Sequence, residues 1–158
     1  MKFKNNNKGF TLVELLAVIV VLAIIMVIAT TQVNKAISSA RTDSFVSSYK
    51  MILREVKNRM AMDGLGDTLS VSCTTTTCAE SYDISSNDYI LEITDHLEAT
   101  SKVGYDVKLA AKAGGKFANV KPGTYSGITI VAGTAGTTTG SLTTGFPHDL
   151  PYIETTVK

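Results

Sequence analysis

Lys8-Gly9-Phe10-Thr11-Leu12-Val13-Glu14-Leu15-Leu16-Ala17-Val18-Ile19-Val20-Val21-Leu22-Ala23-Ile24-Ile25-Met26-Val27-Ile28-Ala29 is a membrane-length apolar run with one acid close to its start. From Phe10 to Thr31, about 22 residues at 1.5 Å each extend roughly 33 Å, enough to cross a hydrocarbon core about 30 Å thick. Glu14 is the anomaly. An ionised carboxylate in a spanning helix costs roughly 2.5–3.5 kcal/mol even on the lenient insertion scale, so it reads as a functional group in need of a partner. The plain alternative is an acid that snorkels at headgroup level in an ordinary anchor. No other charge lies between Phe10 and Lys35.

Working outward, Lys2, Lys4 and Lys8 precede the run and the next cations are Lys35 and Arg41. The short basic end therefore stays in the cytoplasm and the remainder is translocated. A secretory signal has a short apolar stretch followed by small residues at a cleavage site. Here the glycine comes before the apolar stretch, and the sequence continues into a long helix.

After Thr31 no Pro or Gly interrupts the helix, and the pattern becomes amphipathic. Phe45, Tyr49, Ile52, Leu53, Val56 and Met60 recur at helical spacing, extended backward by Ile37 and Ala40. Asp43, Lys50, Arg54, Glu55, Lys57 and Arg59 form the opposite face, with Glu55 and Arg59 spaced for an i,i+4 pair. Asp63-Gly64-Leu65-Gly66-Asp67 ends the periodicity. The expectation is one helix over 10–62, about 53 residues and on the order of 80 Å long, with 10–31 as the membrane segment.

From Asp67 to Lys158 threonine, glycine and β-branched residues dominate, which predicts a β-rich head over 67–158. Candidate strands are 68–72, 104–110 and 124–132. Ser86-Asn87-Asp88 resembles a helix cap, and Tyr89, Ile93 and Leu97 fall at i,i+4, so 88–99 is predicted as a short helix. The tract 133–145 reads as a loop or edge hairpin, and Pro147 and Pro151 flank a C-terminal turn at His148-Asp149-Leu150. So small a head needs the amphipathic half of the long helix, packed through Phe45, Tyr49, Ile52 and Val56. The fold class is α+β: a long N-terminal helix on a small antiparallel β-rich head.

Charge and composition exclude several classes. The chain has 158 residues and a net charge of +1, from 15 Lys+Arg against 14 Asp+Glu. Without Lys2, Lys4 and Lys8 the balance is 12 against 14. No stripe of cations interleaved with aromatics marks a dedicated nucleic-acid site. His96 and His148 lack a nucleophile pattern, no phosphate loop or Gly-x-Ser-x-Gly occurs, and Asp63 with Asp67 is too thin for calcium, so no enzyme activity, cofactor or metal is expected. Cys73 and Cys78, separated by four threonines, read as a disulfide closing a small loop in a translocated domain. A reduced pair or a partial metal site is the alternative.

Lys8-Gly9-Phe10-Thr11-Leu12-Val13-Glu14-Leu15, followed by uninterrupted apolar sequence and a β-rich head, resembles the type IV pilin and pseudopilin family with its class III signal peptide. The resemblance implies a basic leader over 1–9, cut between Gly9 and Phe10 by a prepilin peptidase that also N-methylates Phe10. It implies that the freed Phe10 amine pairs with Glu14 of its own or a neighbouring chain, and that the apolar helix serves first as membrane anchor and then as filament core. The implied partners are the peptidase, further copies, other pilins and an inner-membrane assembly platform. The implied place is the cytoplasmic membrane before assembly and an extracellular pilus or the cell surface afterwards. The implied function is structural, in adhesion, motility or surface attachment. A pseudopilin of a secretion or DNA-uptake machine and a single-span surface binding protein are the alternatives. The helix-breaking proline that many family members carry near the end of the apolar block is missing here, where the first proline is Pro122.

Overall fold

The computed structural model describes residues 10–63, 71–73, 77–133 and 150–158. Helix α1 is Leu12–Asp63. It runs through Thr30 and Thr31, whose hydroxyls turn back to the carbonyls of Val27 at 3.0 Å and Ile28 at 2.9 Å. These β-branched residues thus keep their polar atoms satisfied inside a helix that no proline interrupts. The glycine-rich stop after Asp63 lies outside the described residues.

The chain divides into two compact units, residues 1–37 and 38–158. In the first, every described residue of α1 is exposed, from Leu12 to Ile37. α1 contains the one described helix long and apolar enough to cross a membrane, and none of its apolar window is buried by protein.

The second unit begins with the rest of α1. Phe45, Tyr49, Ile52 and Val56 are all at most 1% exposed, and Thr42 and Val46 join the buried face. Each such apolar burial is worth about 1.5–3 kcal/mol. Helix α2, Cys78–Ser81, is a single turn, and β1 (Tyr89–Glu98) and β2 (Ser101–Ala111) form an antiparallel hairpin. β3 (Gly123–Tyr125) pairs with β4 (Ile128–Ile130), and β5 (Tyr152–Val157) lies antiparallel to β2. The sheet order is β1-β2-β5, and backbone bonds between Val131 and Tyr152 at 2.8 and 3.1 Å join the small hairpin to its edge. Long helix plus antiparallel sheet is the α+β class that the sequence predicts.

Three local expectations are corrected. Residues 89–98 form a strand, where the spacing suggested a short helix over 88–99. Tyr89, Leu91 and Ile93 alternate inward on the core face. The i,i+4 spacing of Tyr89, Ile93 and Leu97 is also a multiple of two, so it fits a strand equally well, and β-branched residues with an adjacent partner strand decide the outcome. The cap-like Ser85-Ser86-Asn87-Asp88 instead makes a turn, with the Asp88 and Tyr89 N–H groups bonded to Ser85 O at 3.1 and 3.0 Å.

The expected strand 124–132 is folded back on itself at Ser126 and Gly127, whose φ values of 50° and 81° suit a tight hairpin turn. At the C-terminus, Pro151 leads directly into β5, a strand that no sequence candidate covers. Of the expected strand 68–72, only Val71 and Ser72 are described and neither is in a strand, although Cys73 next to them bridges Ile93. The tract 134–145 and Pro147-His148-Asp149 lie outside the described residues.

The core sits between α1 and the inner face of the sheet. Tyr89 stacks on Phe45 and on Phe117 there, with centroids 5.7 and 4.7 Å apart, and Phe117 lies tilted against Phe45 at 5.7 Å. β2 and β5 approach so closely at Gly104 that a Cβ placed there would lie 2.1 Å from the Val157 carbonyl oxygen. Only glycine fits that position.

Candidate functional site

The residues that the sequence singles out sit at the start of α1. Gly9 lies outside the described residues, and the Phe10 side chain is exposed. Glu14 is the third residue of the helix, one turn after Thr11. The Thr11 N–H donates to Glu14 Oε2 at 2.9 Å, and the Thr11 hydroxyl donates to the same oxygen at 2.9 Å. In return the Glu14 N–H donates to Thr11 Oγ1 at 3.2 Å, and Leu15 N–H closes the first backbone turn on Thr11 O at 3.2 Å. This is a reciprocal capping box, in which two of the first amides, orphaned by helix geometry, find side-chain acceptors.

Glu14 therefore has its hydrogen-bond partner in Thr11, the residue just ahead of its own helix. Its carboxylate also sits where the helix dipole favours negative charge. Both bonds converge on Oε2, and among the described residues Oε1 accepts none. The three hydrogen bonds around Glu14 are all made with Thr11, none with Phe10. Thr11 is the functional residue missing from the sequence-derived set. The signal was legible: Thr11-Leu12-Val13-Glu14 has the Ser/Thr-x-x-Glu spacing ahead of an apolar run.

Cys73 and Cys78 are joined by a disulfide, with Cα atoms 5.6 Å apart. Cys73 exchanges backbone bonds with Ile93 at 2.9 and 2.8 Å, so the small loop is fastened to β1. The neighbouring Tyr82 hydroxyl donates to Val71 O at 2.8 Å. Arg59 lies over the Tyr82 ring at 4.1 Å and donates to Glu55 at 3.0 Å and to Ser81 O at 2.7 Å. The expected Glu55–Arg59 pair thus also ties α1 to α2.

His96 is half-buried and takes part in a row across three strands. Its Nδ1 lies 3.0 Å from Asp106 Oδ2, while the Thr156 hydroxyl donates to Asp106 Oδ1 at 2.6 Å. Aspartate occupies the middle of this row, so the hydroxyl and the imidazole do not touch. The arrangement fastens β1, β2 and β5 together and does not activate a nucleophile. Among the described residues no group of three or more His, Cys, Asp or Glu side chains is placed to hold a metal ion.

Residues 4–30 match the family model described as the prokaryotic N-terminal methylation motif. The chain carries a class III signal of the type IV pilin family. The matched stretch contains Gly9, Phe10, Thr11 and Glu14 and ends where the apolar block ends. It supports a pilin- or pseudopilin-type protein anchored in a membrane by the first half of α1. No curated protein and no solved structure gives a significant match to the chain.

Proposed function

We propose that this chain is a structural pilin subunit, cut by a prepilin peptidase between Gly9 and Phe10, methylated on the new amine, and polymerised through α1 into a surface fibre used for adhesion, motility or attachment. The observation that carries the reading is the junction of the methylation motif with an apolar helix that no other part of the described protein covers. Such a surface is stable in only two surroundings, lipid or other helices like itself.

Glu14 joins the two states. In the membrane the capping box compensates its charge in part, with both bonds on one oxygen. On assembly the Phe10 amine of the same or a neighbouring copy approaches the remaining oxygen and completes the neutralisation that an intramembrane carboxylate requires. Extraction from lipid is offset by helix packing in an open, repeating contact. The inner-membrane assembly platform and other pilins act as partners in this process.

The test combines mass spectrometry and electron microscopy of material sheared from cells. The expected result is fibres built of a chain that begins at methylated Phe10, an uncut precursor from Gly9→Trp, and a Glu14→Ala variant that is cut normally yet assembles poorly alone. Fibres in which this chain still begins at Met1, or undiminished assembly of Glu14→Ala, overturn the reading. Short fibres confined to the envelope, with secretion or DNA uptake lost on deletion, assign the chain to the pseudopilins.

A further inference from the structure

Within residues 38–63, one face of α1 is occupied by its own sheet. The opposite face carries Asp43, Ser47, Lys50, Arg54, Lys57 and Ala61, all exposed and spaced alternately by four and three residues. That spacing places them in a single seam along the helix. The seam is sorted by sign, with one acid at its N-terminal end and three bases beyond. Among the described residues these four charges enter no ion pair, whereas Glu55 and Arg59, to one side, are paired with each other.

We propose that this seam docks a second copy of the same chain, with Asp43 of one copy set against the Lys50–Arg54–Lys57 stripe of a neighbour displaced along the helix axis. The proposal rests on the reading that the chain assembles through α1, and it names the surface by which the second half of that helix takes part. The sheet covers the other face, so helices meeting along this half do so through the exposed side, where the seam supplies the charges and Met51 and Met62 lie beside it.

Charge then selects the displacement. Parallel copies at the same height set Asp43 against Asp43 and each base against itself, four like-charge contacts that disfavour a blunt, closed pair. At 1.5 Å per residue, displacements of seven, eleven and fourteen residues, roughly 10, 16 and 21 Å, bring Asp43 opposite Lys50, Arg54 and Lys57. A shift of seven still opposes Lys50 to Lys57. Shifts of eleven and fourteen leave no like pair within the helix, and bring Ala61 opposite Lys50 and Ser47 respectively. The seam therefore favours a staggered, open-ended contact and disfavours a sealed dimer. A polyanion is a weaker match, because the acid heads the same seam.

The experiment uses the full chain in cells that assemble it. Absence of the wild-type protein from fibres defeats the assembly reading itself. Given wild-type fibres, Asp43→Lys is expected to lower fibre yield by roughly tenfold while leader removal and membrane level stay unchanged. Asp43→Lys combined with Arg54→Asp is expected to restore the yield. Both native cysteines are tied up in their disulfide, so introduced thiols report alone. Oxidised fibres of Asp43→Cys with Arg54→Cys or Lys57→Cys are expected to give cross-linked ladders, and Asp43→Cys alone is not. Undiminished yield from Asp43→Lys, self-linking of Asp43→Cys, or a stripe that binds polyanions with no effect on fibre yield overturns the proposal.

Discussion

The Tyr49 hydroxyl donates a hydrogen bond to the carbonyl oxygen of Val107 at 3.0 Å, linking the buried face of α1 to the central strand of the sheet. Burial holds the phenol well above its ordinary pKa, against an opposing hydrogen bond from Thr155. Tyr49→Phe should cost about 1 kcal/mol, the net worth of one such bond. Tyr49→Ala should cost about 3–5 kcal/mol by leaving a cavity. Urea unfolding of the detergent-solubilised chain measures both, and equal losses from the two variants would show that the hydroxyl, not the ring, carries the contact.

Gly104→Ala should displace the end of β5. Its Cβ would meet the backbone oxygen of Val157, which no side-chain rotation can relieve. A loss on the order of 1–3 kcal/mol is expected from overpacking of this kind. Amide exchange should rise at Tyr105 and Val157, which face each other across the two strands. A variant as stable as the parent, with unchanged exchange there, contradicts the close approach.

Asp106 makes the head sensitive to acid. Partial burial acts to raise its carboxyl pKa, but the hydrogen bonds from Thr156 and His96 outweigh this and hold it below its ordinary value of 3.8. A depressed folded-state pKa stabilises the protein at pH above the unfolded value, and that stability disappears as pH falls through the folded one. Melting temperature should therefore drop below about pH 4, and Asp106→Asn should flatten that part of the profile. An unchanged acid limb in the variant would assign the acid sensitivity to other carboxylates.

Reduction of the Cys73–Cys78 bond should cost about 2 kcal/mol, because a loop of about six residues loses little chain entropy when closed. Intact-mass spectra before and after reductant should differ by two protons. Free thiols in the exported protein would remove the disulfide from the account.

Thr11→Ala should weaken the first turn of α1 by about 1 kcal/mol, the usual worth of an N-cap. The Glu14 amide, which donates to Thr11 Oγ1, should exchange about fivefold faster, and Thr11→Ser should restore its protection. Identical exchange in Thr11→Ala and parent would mean that the capping box contributes nothing.

Long-range periodicity made much of the molecule legible in advance. Phe45, Tyr49, Ile52 and Val56 announced the buried face of α1 because they repeat over several turns, and Gly9 through Glu14 announced the signal because their combination is unusual. Short segments were harder. Tyr89, Ile93 and Leu97 satisfy two periodicities at once, and the choice between them depends on β2, which contacts β1 only in the folded chain. β5 was hidden because its middle, Glu154-Thr155-Thr156, is polar and exposed beside a proline that reads as a turn. Thr11 escaped notice for another reason. The charge of Glu14 calls for an amine as partner, while its hydrogen-bond partner is a neutral hydroxyl and amide three residues away.

The hydroxyls of Thr30 and Thr31 are turned inward onto Val27 and Ile28, so the last part of the greasy segment shows its surroundings methyl groups and no free donors. A rod that looks after its own polar atoms makes no demand on the medium around it. It can be handed from oil to protein without exchanging a single hydrogen bond along that stretch.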